Sequence, residues 1–489
     1  MTDTHDVAPE RPAAEAADAS SGVAAGSTAT LEVFPNRPAR TLDLDKPAPL
    51  GWWPAVVIAL VAFIDRVEIN LIAGALPAIQ DHFGFSDTVG GAIPTAASLA
   101  AAILLLPAGR LADRAPRVVT IFIVVLTWAI CSVLSGLATS LVMFFAVRVL
   151  IGAAGQLYNP PASSLIADYY PARSRGKAFG FERAGYYMGL PTGVILGGAV
   201  AEALDWRAVF FVAAVPGVIV ALLVLTLREP LRGLGDRMDR LRGASEATAD
   251  AAGNHGVLTV SQSSLFAEAK GLLKVKTLKG IILGQALLSL GVAGLFYWLP
   301  TFLERTEDLG YDAASGLAGG VGGTGIVIGI VLGSRMGDKF HGIRPGWRIK
   351  VATGFLLLGA ITLTGAVLLP GLWLRIALVC AACAGFAAAI PNLTAASADV
   401  VPADRRGMGF ALLTFLVTLG GAVGPLLIGA TSDIVGSTGY DGEPLALAML
   451  VLVPAMFAAV LALRWIRDSF EEDAARATSA SQASPDTVV

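Results

Sequence analysis

The chain has 489 residues, of which 55% are hydrophobic and only 15% are charged, and its mean hydropathy is +0.68. Soluble domains carry about 25% charged residues, so this composition excludes an ordinary soluble protein and indicates a helical protein that crosses a membrane several times. The net charge of −3 gives no global field that would attract nucleic acid.

Residues 1–50 are rich in Ala, Asp, Glu, Pro, Ser and Thr and show no helical periodicity, so they are predicted to form a disordered tail. No apolar segment precedes Trp52, and no cleavable signal peptide is expected. Apolar segments of about spanning length follow, and they lie at about 52–77, 88–108, 117–138, 140–167, 176–201, 207–228, 278–303, 313–336, 348–369, 372–397, 407–431 and 444–466. The sequence thus predicts an all-α membrane protein with twelve transmembrane helices.

The widest gap between these segments, residues 229–277, divides the chain. It predicts a six-helix bundle over 51–228, a linker, a second six-helix bundle over 278–467 and a tail over 468–489. Within the linker, residues 261–274 have the pattern of a short amphipathic helix on the membrane surface. Arginine and lysine concentrate in the loops on the linker's side of the membrane. The positive-inside rule therefore predicts cytoplasmic termini and a cytoplasmic linker, in a bacterial inner membrane.

An internal repeat supports the same division. Residues 167–179 match residues 398–410 at a constant offset, and the same offset relates Pro160 to Pro391. A shorter match relates residues 108–114 to residues 333–339. Parallel repeats of this kind indicate two six-helix bundles related by a pseudo-two-fold axis along the membrane normal.

Three charged residues, Asp65, Arg66 and Glu68, interrupt the first apolar segment. A charge at the centre of a bilayer costs about 3 kcal/mol or more, and such residues usually mark functional sites. The alternative interpretation is a satisfied ion pair in a buried core. All four histidines lie outside the apolar segments, so proton chemistry within the membrane is left to carboxylates.

Cofactor and enzyme chemistry find no support in the sequence. The cysteines are interpreted as small buried residues rather than a metal site or a disulfide framework, because they lie in apolar segments; they are Cys131, Cys380 and Cys383. There is no phosphate-binding loop and no set of nucleophile and base. We expect no metal, no cofactor and no enzymatic activity, and a proton gradient is the predicted driving force.

The loop after the second segment resembles the signature of the major facilitator superfamily, Gly109-Arg-Leu-Ala-Asp113-Arg114-Ala-Pro-Arg117. Its copy in the second half is weaker, with Ser334 in the place of the second glycine. The resemblance covers about residues 52–467 and implies the major facilitator fold and a secondary transporter. Such a protein works by alternating access, in which two halves rock around a central site.

Within that superfamily, the first half resembles the Spinster family of lipid transporters. The matching motifs are Asp65-Arg66, Arg148-x-Leu-x-Gly152, Tyr158-x-x-Pro-Ala-x-x-x-Ile-Ala-Asp168 and Pro171-x-x-x-Arg175. The family commonly has Gly-Glu-Ala before the tyrosine, where this chain has Gly155-Gln156-Leu157, so one carboxylate is absent. Sugar-acid and other organic-anion symporters share parts of these motifs.

Arg148 lies inside the fourth segment and requires a partner. We expect that partner to be Asp65, with Asp65 as the proton site, Arg148 as its counter-charge and Glu68 sharing the work. In the alternative, Arg66 pairs locally with Asp65 or Glu68, and Arg148 contacts only backbone carbonyls.

A gate is predicted on the cytoplasmic side. Gly109 allows a tight turn, so that Asp113 can face the N-terminus of the eleventh helix, where the helix dipole favours a carboxylate. Asp338 could face the fifth helix in the same way, and both contacts would favour the outward-facing state. For Arg114 and Arg117 alone the alternative is simple membrane topology. The predicted gate residues are Gly109, Asp113, Arg114, Arg117, Arg175, Asp338 and Arg406.

Charges within the membrane concentrate in the first half, whereas the second half is mainly apolar. A cavity between the halves would suit an amphiphile better than a sugar, whose hydroxyls need polar partners on both walls. We therefore predict a monomeric, proton-coupled transporter of lysolipids or related amphiphiles. The alternatives are a proton-coupled drug or organic-anion transporter and a receptor or sensor that transports nothing. The predicted cavity residues are Arg66, Gln156, Tyr158, Asn159, Gln285 and Asn392.

Overall fold

The computed structural model describes residues 28–155, 157–247, 271, 273–339, 346–401 and 406–483, without the side chains of residues 105–114, 243–247, 406–408, 411 and 478–483. The described part is helical apart from one small hairpin. Its strands, β1 (Thr28–Leu31) and β2 (Arg40–Asp43), pair antiparallel.

The first half contains eight described helices. They are α1 (Trp53–Phe83), α2 (Asp87–Arg114), α3 (Arg117–Gly136), α4 (Leu141–Gly155), α5 (Asn159–Tyr169), α6 (Ala172–Ala203), α7 (Trp206–Val224) and α8 (Leu234–Ala247). Helices α4 and α5 form one membrane crossing. Pro160 and Pro161 occupy the first turn of α5. Proline has no backbone N–H, and in the first turn of a helix that N–H would have no helical partner in any case.

The second half also contains eight described helices. They are α9 (Lys276–Glu307), α10 (Tyr311–Lys339), α11 (Trp347–Leu368), α12 (Leu372–Asp399), α13 (Arg406–Ser437), α14 (Pro444–Met449), α15 (Leu452–Ile466) and α16 (Phe470–Ala483). Here α14 and α15 together form the last crossing, over Pro444–Ile466.

Ten crossings in the described residues are long and apolar enough to span a membrane. Helices α1 and α6 are as long, with 31 and 32 residues, but they carry more charge or polarity along their length. Together these segments are the twelve crossings that the sequence predicts. The predicted all-α membrane fold is confirmed.

The prediction of a disordered tail over residues 1–50 is wrong for residues 28–50, which include the β1–β2 hairpin. Alternation along a strand directs every second side chain to one face, and the bundle supplies the surface that this face covers. The apolar side chains buried there, each at most 7% exposed, are Leu31, Val33, Phe34, Leu42 and Leu44. Residues 1–27 lie outside the described residues, as does most of the predicted amphipathic helix 261–274.

Helices α1 and α6 touch backbone to backbone. A β carbon added to any of four glycines on one face of α6 would lie 2.1–2.6 Å from a carbonyl oxygen of α1, closer than any real contact. Without a hydrophobic drive in lipid, small residues let helices pack this closely. The four glycines recur at every fourth residue and are Gly185, Gly189, Gly193 and Gly197. We call this contact the glycine seam.

The second half repeats the seam between α13 and α9. β carbons added to Gly420 and Gly424 would lie 2.3 and 2.2 Å from carbonyl oxygens of α9. These two glycines follow Gly189 and Gly193 at the same offset that relates Pro160 to Pro391. The internal packing of the two halves thus repeats in the way that the sequence repeat predicts.

The halves meet through α2 against α13 and through α6 against α10. We call the end of the bundle that carries α8 and the linker the linker side, and the other end the opposite side. The contacts between halves lie towards the opposite side, where Gly91 meets Pro425, and Gly198 meets Tyr311 and Ser315. The structure is therefore of a state that is closed on the opposite side.

Candidate functional site

The Asp65 carboxylate lies near the middle of α1 and is held by its neighbour Arg66. Two guanidinium nitrogens of Arg66, Nε and Nη2, donate to Asp65 Oδ2 at 2.8 and 2.5 Å. The Asp65 side chain is 2% exposed, whereas 18% of the Arg66 side chain remains exposed. The guanidinium of Arg66 lies 4.6 Å from the centre of the Tyr186 ring on α6, within the range of a cation–π contact. This ion pair therefore has one buried member and one partly exposed member.

A second ion pair follows one turn along α1. Arg148 of α4 donates from Nη1 to Glu68 Oε1 at 2.9 Å and from Nη2 to the Glu68 carbonyl oxygen at 2.8 Å. The hydroxyl of Ser132 on α3 donates to the other carboxylate oxygen, Glu68 Oε2, at 3.2 Å. Only 3% of the Arg148 side chain and 5% of the Glu68 side chain are exposed. This pair is closed on every side that the structure describes.

The prediction that Arg148 pairs with Asp65 is wrong. The alternative is confirmed in that Arg66 pairs locally with Asp65, but Arg148 contacts the Glu68 carboxylate and not only a backbone carbonyl. Glu68 is three residues beyond Asp65, hence about 60° further round the helix and about 4.5 Å further along it. That step turns Glu68 towards Ser132 of α3 and Arg148 of α4, while the Asp65 carboxylate meets Arg66, Gly155 and Tyr158. Sequence spacing placed both carboxylates on one face, but it could not show which one meets Arg148.

A second arginine shares the aromatic ring that Arg66 contacts. Arg183 of α6 lies 5.6 Å from the centre of the Tyr186 ring and 3.3 Å from the Glu182 carboxylate, and 62% of its side chain is exposed. Sequence reasoning did not include Arg183 or Tyr186 in the site. Their spacing of three residues, which places them on one face of α6, is the signal that could have found them.

The other predicted cavity residues are arranged differently. Tyr158 is 1% exposed and packs edge-on against Trp128 at 5.3 Å between ring centres, and Asn159, half-buried, begins α5. Gln285 of α9 is buried, and its Nε2 has no partner within the described residues. Gln156 lies outside the described residues.

Asn392 is a correction to the predicted cavity. Its amide nitrogen donates to the carbonyl oxygens of Gly333 and Ala388 at 2.9 Å each, and the residue is 3% exposed. Gly337 of α10 leaves the space that this side chain fills, since a β carbon added there would lie 1.8 Å from Asn392 Oδ1. Asn392 therefore joins α12 to α10 inside the second half and does not line a passage.

The predicted gate residues that the structure describes make contacts within their own halves. Arg117 bonds to Asp168 and, at 2.6 Å, to Glu229, and Arg175 bonds to Asp236 at 2.9 Å. Asp338 lies 3.3 Å from Arg348 on α11, so its expected contact with the fifth crossing is not made in this state. The side chains of Gly109, Asp113, Arg114 and Arg406 lie outside the described residues. A state closed on the opposite side is expected to leave the halves apart on the linker side.

A polar cluster at the opposite side joins the two halves. The Asp87 carboxylate accepts two bonds from Arg305 at 2.9 Å, one from Ser432 Oγ at 2.7 Å and one from Gln80 Nε2 at 2.9 Å. The Asp433 carboxylate accepts from the backbone amides of Asp87 and Thr88 at 3.1 and 2.9 Å. We call this cluster the Asp87 lock.

Sequence reasoning missed the Asp87 lock. The available signal was Arg305, a basic residue among the acidic Glu304, Glu307 and Asp308. Tyr311 of α10 makes a further link nearby, donating from its hydroxyl to Asp81 at 2.6 Å and from its backbone amide to Glu202 at 3.1 Å. The closure on the opposite side thus involves α1, α2 and α6 of the first half.

Two repeated helical halves, charges buried in the first crossing and a closure on one side define a membrane transport protein. The sequence profile of the Major Facilitator Superfamily matches residues 58–425, with a further match over residues 348–485. The chain belongs to this superfamily and is a multi-pass membrane transporter, not an enzyme. Within the described residues no group of three metal-ligating side chains comes together.

Known proteins similar to this chain fall into several transport classes. It is 25% identical over 316 residues to a D-galactonate transporter of Escherichia coli, covering 63% of this chain and 71% of that one. It is 28% identical to the puromycin resistance protein of Streptomyces alboniger, covering 92% and 97% of the two chains. The crystal structure of a bacterial homologue of the human lysosomal transporter Spinster, inward-facing and unoccupied, superposes with a TM-score of 0.68 at 25% identity, over 89% of this chain and 98% of that one.

Proposed function

We propose that this protein is a proton-coupled secondary transporter that moves lysolipids or related amphiphiles with an anionic headgroup by alternating access. It acts as a monomer in a bacterial inner membrane, with the linker side and both termini in the cytoplasm. One observation carries the proposal: the buried Asp65 carboxylate pairs with Arg66, whose partly exposed side chain shares the Tyr186 ring with Arg183.

Asp65 is the proton site in this proposal because its counter-charge can move. Arg66 is partly exposed and can turn from Asp65 towards a substrate, whereas Arg148 is buried and bonded to Glu68 through both side chain and backbone. A proton on Asp65 neutralises the carboxylate and frees the guanidinium to bind an anionic headgroup. Loss of the proton restores the internal pair and releases the headgroup. Proton and substrate are thereby linked through one arginine.

An amphiphilic substrate fits the uneven distribution of charge between the halves. The first half presents Arg66, Glu182 and Arg183 near one another on α1 and α6. These two helices are too polar to pass as plain apolar spans, whereas every crossing of the second half is apolar enough to do so. A headgroup would bind on α1 and α6, and an acyl chain would contact the second half. Similarity to the Spinster homologue supports this substrate class.

A second candidate is an organic-anion transporter on the same fold. Two guanidiniums around one aromatic ring suit a carboxylate as well as a phosphate, because both anions accept paired bonds from arginine. Similarity to a D-galactonate transporter favours this alternative. The two proposals differ in what the second half of the protein contacts. A lysolipid would place its acyl chain there, whereas a small sugar acid has no acyl chain.

The test is uptake by proteoliposomes that contain the full chain. Labelled lysophosphatidylglycerol and labelled galactonate are offered separately, with and without an imposed proton gradient, to the wild type, to Asp65→Asn and to the control Asp205→Asn. Asp205 is an exposed residue at the start of α7. We expect gradient-stimulated lysolipid uptake by the wild type and the control. Asp65→Asn should lose the stimulation but keep binding, because a neutral side chain leaves Arg66 free.

The outcomes separate the proposals. Gradient-driven uptake of galactonate alone would replace the amphiphile by an organic anion. If the proton gradient still stimulates uptake by Asp65→Asn, Asp65 is not the proton site. Loss of stimulation in Asp205→Asn as well would show that a carboxylate outside the buried pair carries the coupling.

A further inference from the structure

The β1–β2 hairpin is fixed to the membrane bundle at both of its ends. The backbone amide of Leu231 donates to the Val33 carbonyl oxygen at 3.0 Å. On the other strand's side, Arg173 of α6 donates to the carbonyl oxygen of Lys46 at 2.8 Å and also to that of Leu44. The hairpin therefore forms a wall at the linker side of the first half.

A cavity of about 720 Å³ lies between this hairpin, the start of α1 and the segment after α7. Its volume is in the range of small-molecule sites, about 300–1,000 Å³. The lining residues that matter here are Phe34, Arg40, Trp53, Tyr169, Thr226 and Arg228. They lie on the outside of the first half, apart from the Asp65 and Glu68 pairs.

Two guanidiniums in this cavity converge on one phenyl ring. Those of Arg40 and Arg228 lie 5.5 and 5.7 Å from the centre of the Phe34 ring. Both side chains are exposed, and neither forms an ion pair with a carboxylate among the residues that the structure describes. Asp43, the nearest carboxylate in sequence to Arg40, pairs with Lys46. Glu229, the nearest to Arg228, pairs with Arg117. The pair thus presents two positive charges that no carboxylate in the described part of the chain neutralises.

The cavity lies at the ends of two crossings, beside a residue type that is common where a bilayer meets water. Trp53 begins α1, is 47% exposed, and donates from Nε1 to the Thr226 hydroxyl at 2.8 Å. Leu225, at the end of α7, is 50% exposed on the apolar surface. Tryptophan is enriched where a bilayer meets water, and basic pockets at the ends of crossings bind anionic headgroups.

From these contacts we infer that the cavity binds an anionic phospholipid from the leaflet on the linker side. Arg40 and Arg228 bind the phosphate, since guanidinium and phosphate form paired, charge-assisted bonds. Trp53, which lines the cavity, and Leu225, which precedes the lining residue Thr226, contact the first carbons of the acyl chains. Because Arg40 belongs to the hairpin and Arg228 to the segment after α7, the lipid joins the two. A phospholipid headgroup and free inorganic phosphate both offer an anionic phosphate to the two arginines, and the test below distinguishes them.

The test is lipid binding to the purified full chain, followed by native mass spectrometry. Delipidated protein is titrated with dioleoylphosphatidylglycerol, with dioleoylphosphatidylcholine and with inorganic phosphate. The variant is Arg40→Gln/Arg228→Gln. Its matched control, Arg237→Gln/Arg240→Gln, removes two exposed arginines of α8 on the same side. At about 1 kcal/mol for each arginine near the surface, we expect the variant to bind phosphatidylglycerol about thirtyfold more weakly, and the control to bind it like the wild type.

The variant Arg40→Lys/Arg228→Lys controls for the possibility that the glutamine variant binds lipid weakly only because its hairpin no longer packs on the bundle. It keeps both charges but cannot form the paired bonds, so its affinity should fall between those of the wild type and the glutamine variant. Equal phosphatidylglycerol affinity in wild type and glutamine variant would overturn the inference. Inorganic phosphate that binds as tightly as the lipid would assign the cavity to a free anion, and equal binding of phosphatidylcholine would remove the charge requirement.

Discussion

At the scale of single residues, the two ion pairs of α1 differ in how far solvent reaches them. Glu68 and Arg148 are both buried, so neither can lose its partner without leaving a charge in a medium that solvates it poorly. Arg66, in contrast, keeps part of its side chain exposed. Once Asp65 is protonated, the pair formed by Asp65 and Arg66 can open without leaving an unpaired carboxylate in the protein interior.

Removal of one member of the buried pair should destabilise the fold strongly. We expect Arg148→Met to lower the free energy of unfolding by about 3–5 kcal/mol, because the Glu68 carboxylate is left without its cation. The double variant Arg148→Met/Glu68→Gln should recover most of that loss, since no buried charge remains. Thermal melting in one detergent measures both effects as a double-mutant cycle.

Arg183→Met is the matched control for that cycle. Arg183 also pairs with a glutamate, but its side chain is 62% exposed, and exposed pairs contribute about 0–1 kcal/mol. A double variant no more stable than Arg148→Met would contradict the account, because it would show that the loss arises from packing and not from the unpaired charge.

The sequence showed that the first half carries charges at a depth where the membrane makes them energetically costly, but it did not show how these charges pair. Charges in an apolar run are visible in any sequence, and Asp65, Glu68 and Arg148 were found in this way. Which carboxylate meets the arginine depends on the rotation of α1 relative to α4. That rotation is set by the packing of whole helices, and a side-chain spacing cannot provide it.

At the scale of elements, the glycine seam fixes how closely α1 and α6 approach. The carbonyl oxygens of Phe63 and Val67 occupy the space in which side chains of Gly189 and Gly193 would lie. A seam of this kind has no side chain that can change rotamer to accept a larger residue. The helices themselves must separate.

We therefore expect Gly193→Ala to lower the free energy of unfolding by about 1–3 kcal/mol, the usual cost of overpacking. The added β carbon would lie 2.6 Å from the Val67 carbonyl oxygen. Gly180→Ala in the same helix is the control, because nothing lies within 4 Å of its added carbon. Alanine favours a helix there, and its melting temperature should be unchanged or higher. Equal melting temperatures for the two variants would show that the seam has room to relax.

The crossings were predictable and the hairpin was not, for a physical reason. A crossing needs about 20 apolar residues in succession, a signal that few other structures produce. The hairpin buries single apolar residues such as Leu31 and Val33 within a polar stretch. Its stability comes from the bundle beneath it, to which it is tied by Leu231 and Arg173, and those contacts are remote in sequence.

At the scale of the whole molecule, the Asp87 lock holds one of two alternating states. Its members lie at the end of the bundle, so each group that loses a protein partner when the halves separate can bind water instead. The net contribution of such a bond is about 0.5–1.5 kcal/mol, rising to about 1.5–3 kcal/mol where a charge is involved. The lock can therefore be strong enough to select a state and weak enough to open.

Arg305→Gln should shift the population towards the state open on the opposite side. The variant loses the ion pair with Asp87 at 2.9 Å and the contact with Glu443 at 3.6 Å. Spin labels at Leu204 and Tyr440, both exposed on that side, report the separation of the halves once the three native cysteines are replaced. We expect a longer distance distribution, with a population change of about tenfold or more for a loss of about 1.5–3 kcal/mol.

Arg207→Gln is the control for the lock. Arg207 lies on the same side and contacts Asp205 and His82, both in its own half. Its replacement removes a charge without removing a contact between halves, so the label distance should stay at the wild-type value. An unchanged distance in Arg305→Gln, or the same increase in both variants, would mean that apolar contacts alone close this side.

The glycine seam has a further consequence for the proposed exchange of protons at Asp65. Backbone atoms in direct contact along α6, from Gly185 to Gly197, leave no room for a file of water molecules between α1 and α6. Asp65 lies on the other side of α1, where Gly155 and Tyr158 meet it. The seam therefore closes the side of α1 that faces away from the carboxylate, and a path for protons to Asp65 would have to run along the face of α1 that meets α4 and α5.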